Sequence, residues 1–251
     1  MTRAQWTAFT GFRDTFRNQC AAWAREAEAL VGPEGVTLRD LQREAAREDG
    51  TPEYPLENPL VYNASLDAIT EGDDISLIVV GDNPGKDEQL DKNRRYLVGQ
   101  AGKLGEGFFR ANSELRTDFR KNVVILNKTP IHTAKTKELA YIARRGGETF
   151  SRFLGDTQIW MARETARLRA GLDCPLWLVG YAELREKGLF RAYADELRTH
   201  CSNDAENILL FQHFSMNRFS IDLKDRRKPD LSLERNLREI GIAHRKEILG
   251  W

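Results

Sequence analysis

The 251-residue chain is 41% hydrophobic and 30% charged, which fits one ample globular domain or two small ones and excludes a disordered or fibrous protein. Its 38 Lys and Arg residues equal its 38 Asp and Glu residues, so the net charge is zero and any polyanion-binding surface must be local. The three cysteines, Cys20, Cys174 and Cys201, lack disulfide or cluster spacing, so we expect no cofactor and a reducing cytoplasm. We expect no signal peptide and no membrane association, because no segment approaches the roughly 20 apolar residues of a membrane helix.

The first predicted element is a long amphipathic helix. Its apolar side chains recur every three or four positions, as one helix face requires: Trp6, Phe9, Phe12, Phe16, Cys20, Trp23, Ala27 and Leu30. Gly32 and Pro33 are expected to end it, and the stretch 32–74 predicts helix fragments and loops. Residues 1–74 are therefore expected to form a helical extension packed on the core.

Residues 75–220 alternate between short apolar runs and segments with helical periodicity. The apolar runs predict buried strands at 75–80, 123–126, 176–179 and 208–211. Helices are predicted at 103–115, 157–172, 182–198 and 231–240, with Gly171 and Gly241 as carboxyl-terminal caps. The pattern predicts an α/β fold: a three-layer α/β/α sandwich around a four-stranded parallel sheet, in a single domain over 1–251 that closes with a C-terminal helix within 221–251. Ligands of such folds bind where the strands end.

The loop after the first predicted strand, residues 81–88, has the sequence Gly-Asp-Asn-Pro-Gly-Lys-Asp-Glu. It presents Asp82 and Asn83 side by side. A carboxylate next to an amide can accept a proton from water and orient that water, as general-base hydrolysis requires. The alternative is an ordinary turn in which either side chain bonds its own backbone.

Residues 94–103 place Tyr96 and Leu97 among glycines and basic residues. The segment is not a Walker A motif, because Leu97 stands where the first glycine belongs and no hydroxyl follows Lys103. Its composition suits stacking on a base and contact with a phosphate backbone through Gly99 and Lys103. A solvated basic loop is the alternative.

Asn127 ends the second predicted strand. Its amide can donate and accept together, which matches the imide face of a pyrimidine, whereas the alternative is an amide that caps the next turn. The turn after the third strand, 180–182, carries no strongly acidic or basic side chain and is assigned to the scaffold.

His213 follows the fourth predicted strand and precedes Ser215, Asn217 and Arg218. An imidazole there can donate a hydrogen bond to a leaving group while its neighbours contact a nucleic-acid backbone, although a structural histidine is the alternative. The remaining histidines lack ligand spacing and predict no metal site: His132, His200 and His244.

In their order along the chain, these strand-end motifs resemble those of the uracil-DNA glycosylase superfamily. Residues 81–85, Gly-Asp-Asn-Pro-Gly, resemble its water-activating motif, and residues 96–102, Tyr-Leu-Val-Gly-Gln-Ala-Gly, resemble the Pro-Phe-Val-Gly-x-Ala-Gly stretch of its thermophilic branch. Asn127 falls where the base-reading Asn sits, and residues 213–215, His-Phe-Ser, resemble its His-Pro-Ser motif. The resemblance covers about residues 75–220.

The resemblance implies a monomeric, monofunctional DNA glycosylase of base excision repair that flips uracil or a related deaminated or damaged base out of DNA. Asn83 would position the attacking water, Asp82 would act as its base or steady the oxocarbenium-like sugar, and His213 would stabilise the departing pyrimidine. Further residues would surround the base: Gly81, Gly85, Asn127 and, as one wall, Tyr96 or Leu97. Others would contact DNA, with Met216 or Asn217 filling the gap left by the flipped nucleotide: Gly99, Lys103, Phe214, Ser215, Met216, Asn217 and Arg218.

The chain departs from the superfamily patterns at several positions. The first motif joins the acid of the thermophilic branch to the Asn of the single-strand-selective and mismatch-specific branches, and the cluster cysteines are missing. Leu97 replaces a stacking Phe, Phe214 replaces the Pro of His-Pro-Ser, and Gly85 stands near where uracil-only enzymes carry a bulky aromatic side chain. Two alternatives follow: a DNA- or base-binding module of the same fold without turnover, and an unrelated metal-dependent nucleotide or phosphate-ester hydrolase.

Overall fold

The computed structural model describes the backbone of all 251 residues and every side chain except those of Ser202 and Asn203. The centre of the described backbone is a four-stranded, all-parallel sheet in the order β2-β1-β3-β4. The strands are β1 (Leu77–Gly81), β2 (Val123–Asn127), β3 (Leu176–Val179) and β4 (Ile208–Phe211). Every strand residue is buried, as expected for strands covered on both faces. The three-layer α/β/α sandwich predicted from the alternating pattern is confirmed.

Helices precede the sheet, connect its strands and follow it. The helices of the described backbone are α1 (Arg3–Ala29), α2 (Leu38–Glu48), α3 (Gln100–Ala111), α4 (Glu138–Arg145), α5 (Gly147–Leu172), α6 (Arg191–Cys201), α7 (Arg218–Arg226) and α8 (Leu233–Leu249). None of the described helices is both long and apolar enough to cross a membrane.

Aromatic packing attaches one helical layer to the sheet. Trp177 of β3 stacks on Phe109 of α3 at 5.5 Å between ring centroids, and Phe219 of α7 packs on Phe211 of β4 at 5.2 Å. The helix α8 packs against β4, and α5 packs against both α1 and α6 in the second layer. Buried apolar side chains from α1 to α8 form one continuous core.

The predicted apolar face of α1 is the face that the protein buries. Its buried side chains are Phe9, Phe12, Phe16, Cys20, Trp23 and Ala27. Thr2 begins the helix as a capping box with Gln5, whose side chain also donates to the Leu172 carbonyl of α5 at 2.8 Å. Residues 1–74 therefore share the core with the sheet through α1.

Two glycines predicted as helix caps lie inside helices, so these predictions are wrong. A Cβ on Gly171 would lie 2.5 Å from the Cβ of Ala8, and one on Gly241 would lie 2.6 Å from the Cβ of Leu209. The two glycines permit close packing of α5 on α1 and of α8 on β4. The αL caps of these helices are Asp173 and Gly250.

The carboxyl-terminal helices also differ from their predicted ranges. The helix predicted at 182–198 is interrupted, because Gly188 turns the chain so tightly that a Cβ there would lie 2.3 Å from the Glu183 carbonyl oxygen. Only α6 forms beyond this turn. The range 221–251 holds α8 and the end of α7 rather than one helix.

Candidate functional site

The strand ends meet at a cavity of about 490 Å³. The chain leaves β1 toward β2 and leaves β3 toward β4, on opposite sides, which opens a crevice at the carboxyl ends of the central strands. The lining of this strand-end cavity is Asp82, Asn83, Glu88, Leu97, Ala101, Asn127, Thr133, Ala134, Lys135, Thr136, His213, Ser215 and Met216. The structure thus brings together residues from all the motifs noted in the sequence.

The carboxylate of Asp82 is bonded to a buried ammonium group. The Nζ of Lys128, a fully buried side chain, lies 2.6 Å from Asp82 Oδ1 and also donates to the Val179 carbonyl at 2.8 Å. Burial lowers the pKa of Lys128, and the adjacent Asp82 opposes that shift. Gly180, at φ +88°, leaves room for Asp82, since a Cβ there would lie 2.6 Å from Oδ1. Oδ2 of Asp82 accepts only a long hydrogen bond from Thr136 Oγ1, at 3.4 Å, and keeps acceptor capacity for a ligand.

The amide of Asn83 is oriented by the loop after β2. Its Nδ2 donates to Thr133 Oγ1 at 2.8 Å, and that hydroxyl in turn donates to the Lys135 carbonyl at 3.0 Å. Because the nitrogen is held, the Oδ1 atom keeps its acceptor capacity. Asn83 is therefore fixed as a hydrogen-bond acceptor at the cavity wall.

The amide of Asn127 lacks hydrogen-bond partners within the described protein. The residue is 1% exposed, and its Nδ2 is a buried donor with nothing to bond. Its Oδ1 would lie 2.6 Å from a Cβ on Gly81, so only glycine fits at the end of β1. An unpaired buried donor costs about 1–3 kcal/mol, and a ligand carbonyl in the cavity would satisfy it.

His213 presents its Nε2 as a donor. The backbone N–H of Ser215 donates to Nδ1 at 3.1 Å, so Nδ1 is an acceptor, and it also accepts the Ser215 hydroxyl at 2.7 Å. Burial lowers the pKa of His213, with Lys128 adding to the shift and Asp82 opposing it. The neutral ring consequently carries its proton on Nε2.

Glu88 is a buried carboxyl group in the same cavity. Burial raises its pKa to about 7, although the backbone N–H groups of Gly85 and Leu97 both donate to it. Leu97 adopts φ +52°, an unfavourable conformation for a leucine, and Arg120 holds its carbonyl at 2.6 Å. A Cβ on Gly102 would overlap that carbonyl, so this wall requires glycine at the start of α3.

The buried His132 holds the loop after β1 in place through a hydrogen bond. His132 Nδ1 donates to the Pro84 carbonyl at 2.8 Å, and its Nε2 lies 3.0 Å from the Tyr54 hydroxyl, which donates to it. Burial lowers the pKa of His132 to about 4. The neutral ring links the loop that carries Asn83 to the segment that follows α2.

Two residues predicted to touch substrate or DNA are in the core instead. Tyr96 is fully buried and donates its hydroxyl to the Val61 carbonyl at 2.6 Å, so it forms no wall of the cavity. Phe214 is 1% exposed and packs on Phe119 and Phe219, so it cannot enter a DNA groove. Removing these apolar rings from water stabilises the fold more than leaving them exposed would.

Of the other residues with predicted DNA contacts, Ser215 and Met216 line the cavity, and the rest lie within two residues of a lining residue along the chain. Met216 is 74% exposed, and both it and Asn217 have positive φ angles, which makes them the tip of a tight turn. Arg218 and Lys103 are exposed, and Gly99 is the residue before α3. A Cβ on Gly85 would meet no atom within 4 Å, so this position is open.

Several residues of the site were not among those predicted from the sequence. Glu88 and the loop 133–136 line the cavity, and the fully buried Lys128 pairs with Asp82 of its lining. Lys128 follows Asn127 directly, and Glu88 follows the first motif, so their adjacency to predicted site residues is a signal that the sequence contains. Within the described part of the chain, no group of three or more His, Cys, Asp or Glu residues has the arrangement of a metal site.

Comparison with known proteins identified no relative of the chain. No family model matches the chain, and neither a curated protein nor a solved structure matches it significantly.

Proposed function

We propose that the chain is a monofunctional DNA glycosylase that hydrolyses the N-glycosidic bond of uracil or a related deaminated or damaged base. The observation that carries the proposal is the convergence of three oriented groups on one cavity: the Asn83 acceptor, the unpartnered Asn127 amide and the Nε2–H of His213. These are the groups needed to hold a water, read a base carbonyl and stabilise a leaving base.

In the proposed reaction, Asn83 Oδ1 accepts a hydrogen bond from the attacking water and aims its oxygen at C1′ of the sugar. The Asp82 carboxylate supplies a negative charge beside the developing oxocarbenium ion, and its Oδ2 takes the proton of the water. The glycosidic electron pair leaves with the base, whose carbonyl oxygen accepts the Nε2–H of His213. The base anion then takes a proton from solvent.

The first test is base release from oligonucleotides that carry one uracil, thymine mismatch, hypoxanthine or xanthine, in EDTA, with alkali cleavage of the abasic product. We expect release by the wild-type chain and a loss of about 10²- to 10³-fold in rate for Asn83→Ala and for His213→Ala. Asn18→Ala and His200→Ala are matched controls, because both residues are exposed and lie on helices away from the cavity. Release that required Mg²⁺ would favour the metal-dependent hydrolase instead.

A second candidate function is a DNA- or base-binding module without turnover. The observation that favours a lack of turnover is the lining, which in the described structure contains no Phe, Tyr or Trp to stack on a flipped base. The apolar residues of the lining are Leu97, Ala101, Ala134 and Met216. Binding of DNA with no release of any base by the wild-type chain would support this function over the glycosylase.

A further inference from the structure

A second groove, of about 400 Å³, lies between α3 and α7. Successive turns of α3 form one side, and successive turns of α7 with its flanking residues form the other. The lining of this α3–α7 groove is Lys103, Leu104, Gly107, Phe108, Ala111, Asn112, Asn217, Ser220, Leu223, Lys224 and Arg227. The lining contains three cations and no acidic side chain.

The three cations of the groove are free of ion pairs with the described side chains, whereas their neighbours are paired. Arg226 lies 3.0 Å from Asp222, and Lys228 lies 2.9 Å from Glu239. The side chains of Lys103, Lys224 and Arg227 contact no carboxylate in the part of the chain with described side chains, and all three residues are exposed. The α3–α7 groove thus concentrates uncompensated positive charge on a protein with no net charge.

The groove shares a rim with the strand-end cavity. Ala101 lines the cavity, and Lys103, half a turn further along α3, lines the groove. On the other side, Met216 lines the cavity and Asn217 lines the groove. The two linings are one residue apart along α3 and directly adjacent on the other side, so a polymer with one unit in the cavity can extend into the groove.

We propose that the α3–α7 groove binds the phosphodiester backbone of the DNA strand that carries the flipped nucleotide. Phosphate oxygens are acceptors, and the groove supplies Asn112, Asn217 and Ser220 as neutral donors beside its cations. The nine residues of α7 span about 13 Å, and one DNA strand carries a charge about every 3.4 Å of axis, so the groove is long enough for consecutive phosphates. The strand assignment rests on the proposed function, but phosphate binding is measured without base release.

The test compares two double variants in binding to a uracil-free duplex over a range of salt concentrations. Each phosphate contact contributes about 0.9 to the slope of log K against log salt, so Lys224→Ala/Arg227→Ala should reduce the magnitude of that slope by about two. Arg226→Ala/Lys228→Ala removes the same charge from paired residues of the same segment and should change the slope by less than half as much. Equal slopes for the wild type and the first variant would overturn the proposal, as would a wild-type chain that binds no DNA.

Single methylphosphonates, which remove the charge of one phosphate, locate the contact. In the wild type we expect weaker binding for substitutions beside a uracil on its own strand, and in Lys224→Ala/Arg227→Ala we expect those effects to vanish. Effects confined to the opposite strand would contradict the strand assignment. Base release is measured separately. If Lys224→Ala/Arg227→Ala reduces the slope but the wild-type chain releases no base, the glycosylase proposal is overturned and phosphate binding by the groove stands.

Discussion

At the strand-end cavity, the contacts of Lys128 determine which oxygen of the Asp82 carboxylate is available to a ligand. Lys128 occupies its site with three acceptors, the carbonyls of Gly81 and Val179 and the carboxylate of Asp82, so each of its N–H groups has a partner. The residue thereby ties the ends of β1 and β3 together. Its charge also keeps Asp82 in place without occupying Oδ2.

Replacing this lysine should destabilise the protein strongly. Lys128→Met keeps a similar volume but removes the ammonium donor of the Asp82 carboxylate and of the Val179 carbonyl, and breaking a buried pair in this way costs about 3–5 kcal/mol. We expect the free energy of unfolding, measured with urea at pH 7, to fall by at least about 3 kcal/mol. Lys137→Met is the control, because that exposed lysine pairs with Asp49 at the surface and should cost less than about 1 kcal/mol. Equal losses of unfolding free energy at the two positions would show that the buried pair stabilises the protein no more than the surface pair does.

The sequence predicts side chains at strand ends well and side chains within loops poorly. Asn127 and His213 border apolar runs, and parallel strands bring their carboxyl ends to one edge, so their meeting follows from topology. Tyr96, Phe214 and Lys128 follow no period, and only tertiary packing decides whether such a loop side chain turns inward. A lysine in particular is expected at the surface, so its burial beside Asp82 cannot be derived from local pattern.

Helical elements are predicted through their apolar faces, and the errors occur where a glycine serves packing rather than termination. The stripe of α1 is long enough to define its face, and the four apolar runs define the strands to within two residues. Gly241 resembles a cap in sequence because glycine is common there. Its actual function depends on Leu209, a residue more than 30 positions away, and no local signal reports that contact.

A pair of glycine substitutions tests this account of α8. Gly241→Ala gains about 1 kcal/mol of helix propensity but forces α8 away from Leu209 and Phe211, so we expect a net loss of about 2 kcal/mol. Gly155→Ala, inside α5, meets no atom within 4 Å and should stabilise the protein by up to about 1 kcal/mol. Thermal and urea unfolding of both variants measure the difference. If Gly241→Ala were as stabilising as Gly155→Ala, the close contact between α8 and β4 would not limit the packing.

At the scale of the whole molecule, folding shifts the pKa values of two buried groups near the loop after β1 in opposite directions. Burial raises the pKa of Glu88 from 4.5 to about 7, so the folded protein holds its proton where the unfolded chain has lost it, and stability falls as pH rises through this range. Burial lowers the pKa of His132 from 6.5 to about 4, so stability rises with pH over that range. Between about pH 4.5 and 6.5 the two contributions oppose each other.

Removing one group should reveal this compensation. Glu88→Gln removes the Glu88 contribution and keeps that of His132. Because only the wild type loses the Glu88 contribution as the pH rises, the unfolding free energy of the variant minus that of the wild type should increase from about pH 4.5 to 7, by up to about 3 kcal/mol, and then level off. Urea unfolding at half-unit pH steps measures this difference, in which contributions of all other groups cancel. Glu53→Gln, at an exposed position, controls for the loss of a negative charge. A difference that stayed constant with pH would show that Glu88 loses its proton as readily in the folded protein as in the unfolded chain. The carboxyl in the cavity wall would then be charged over the same pH range as an ordinary exposed carboxylate.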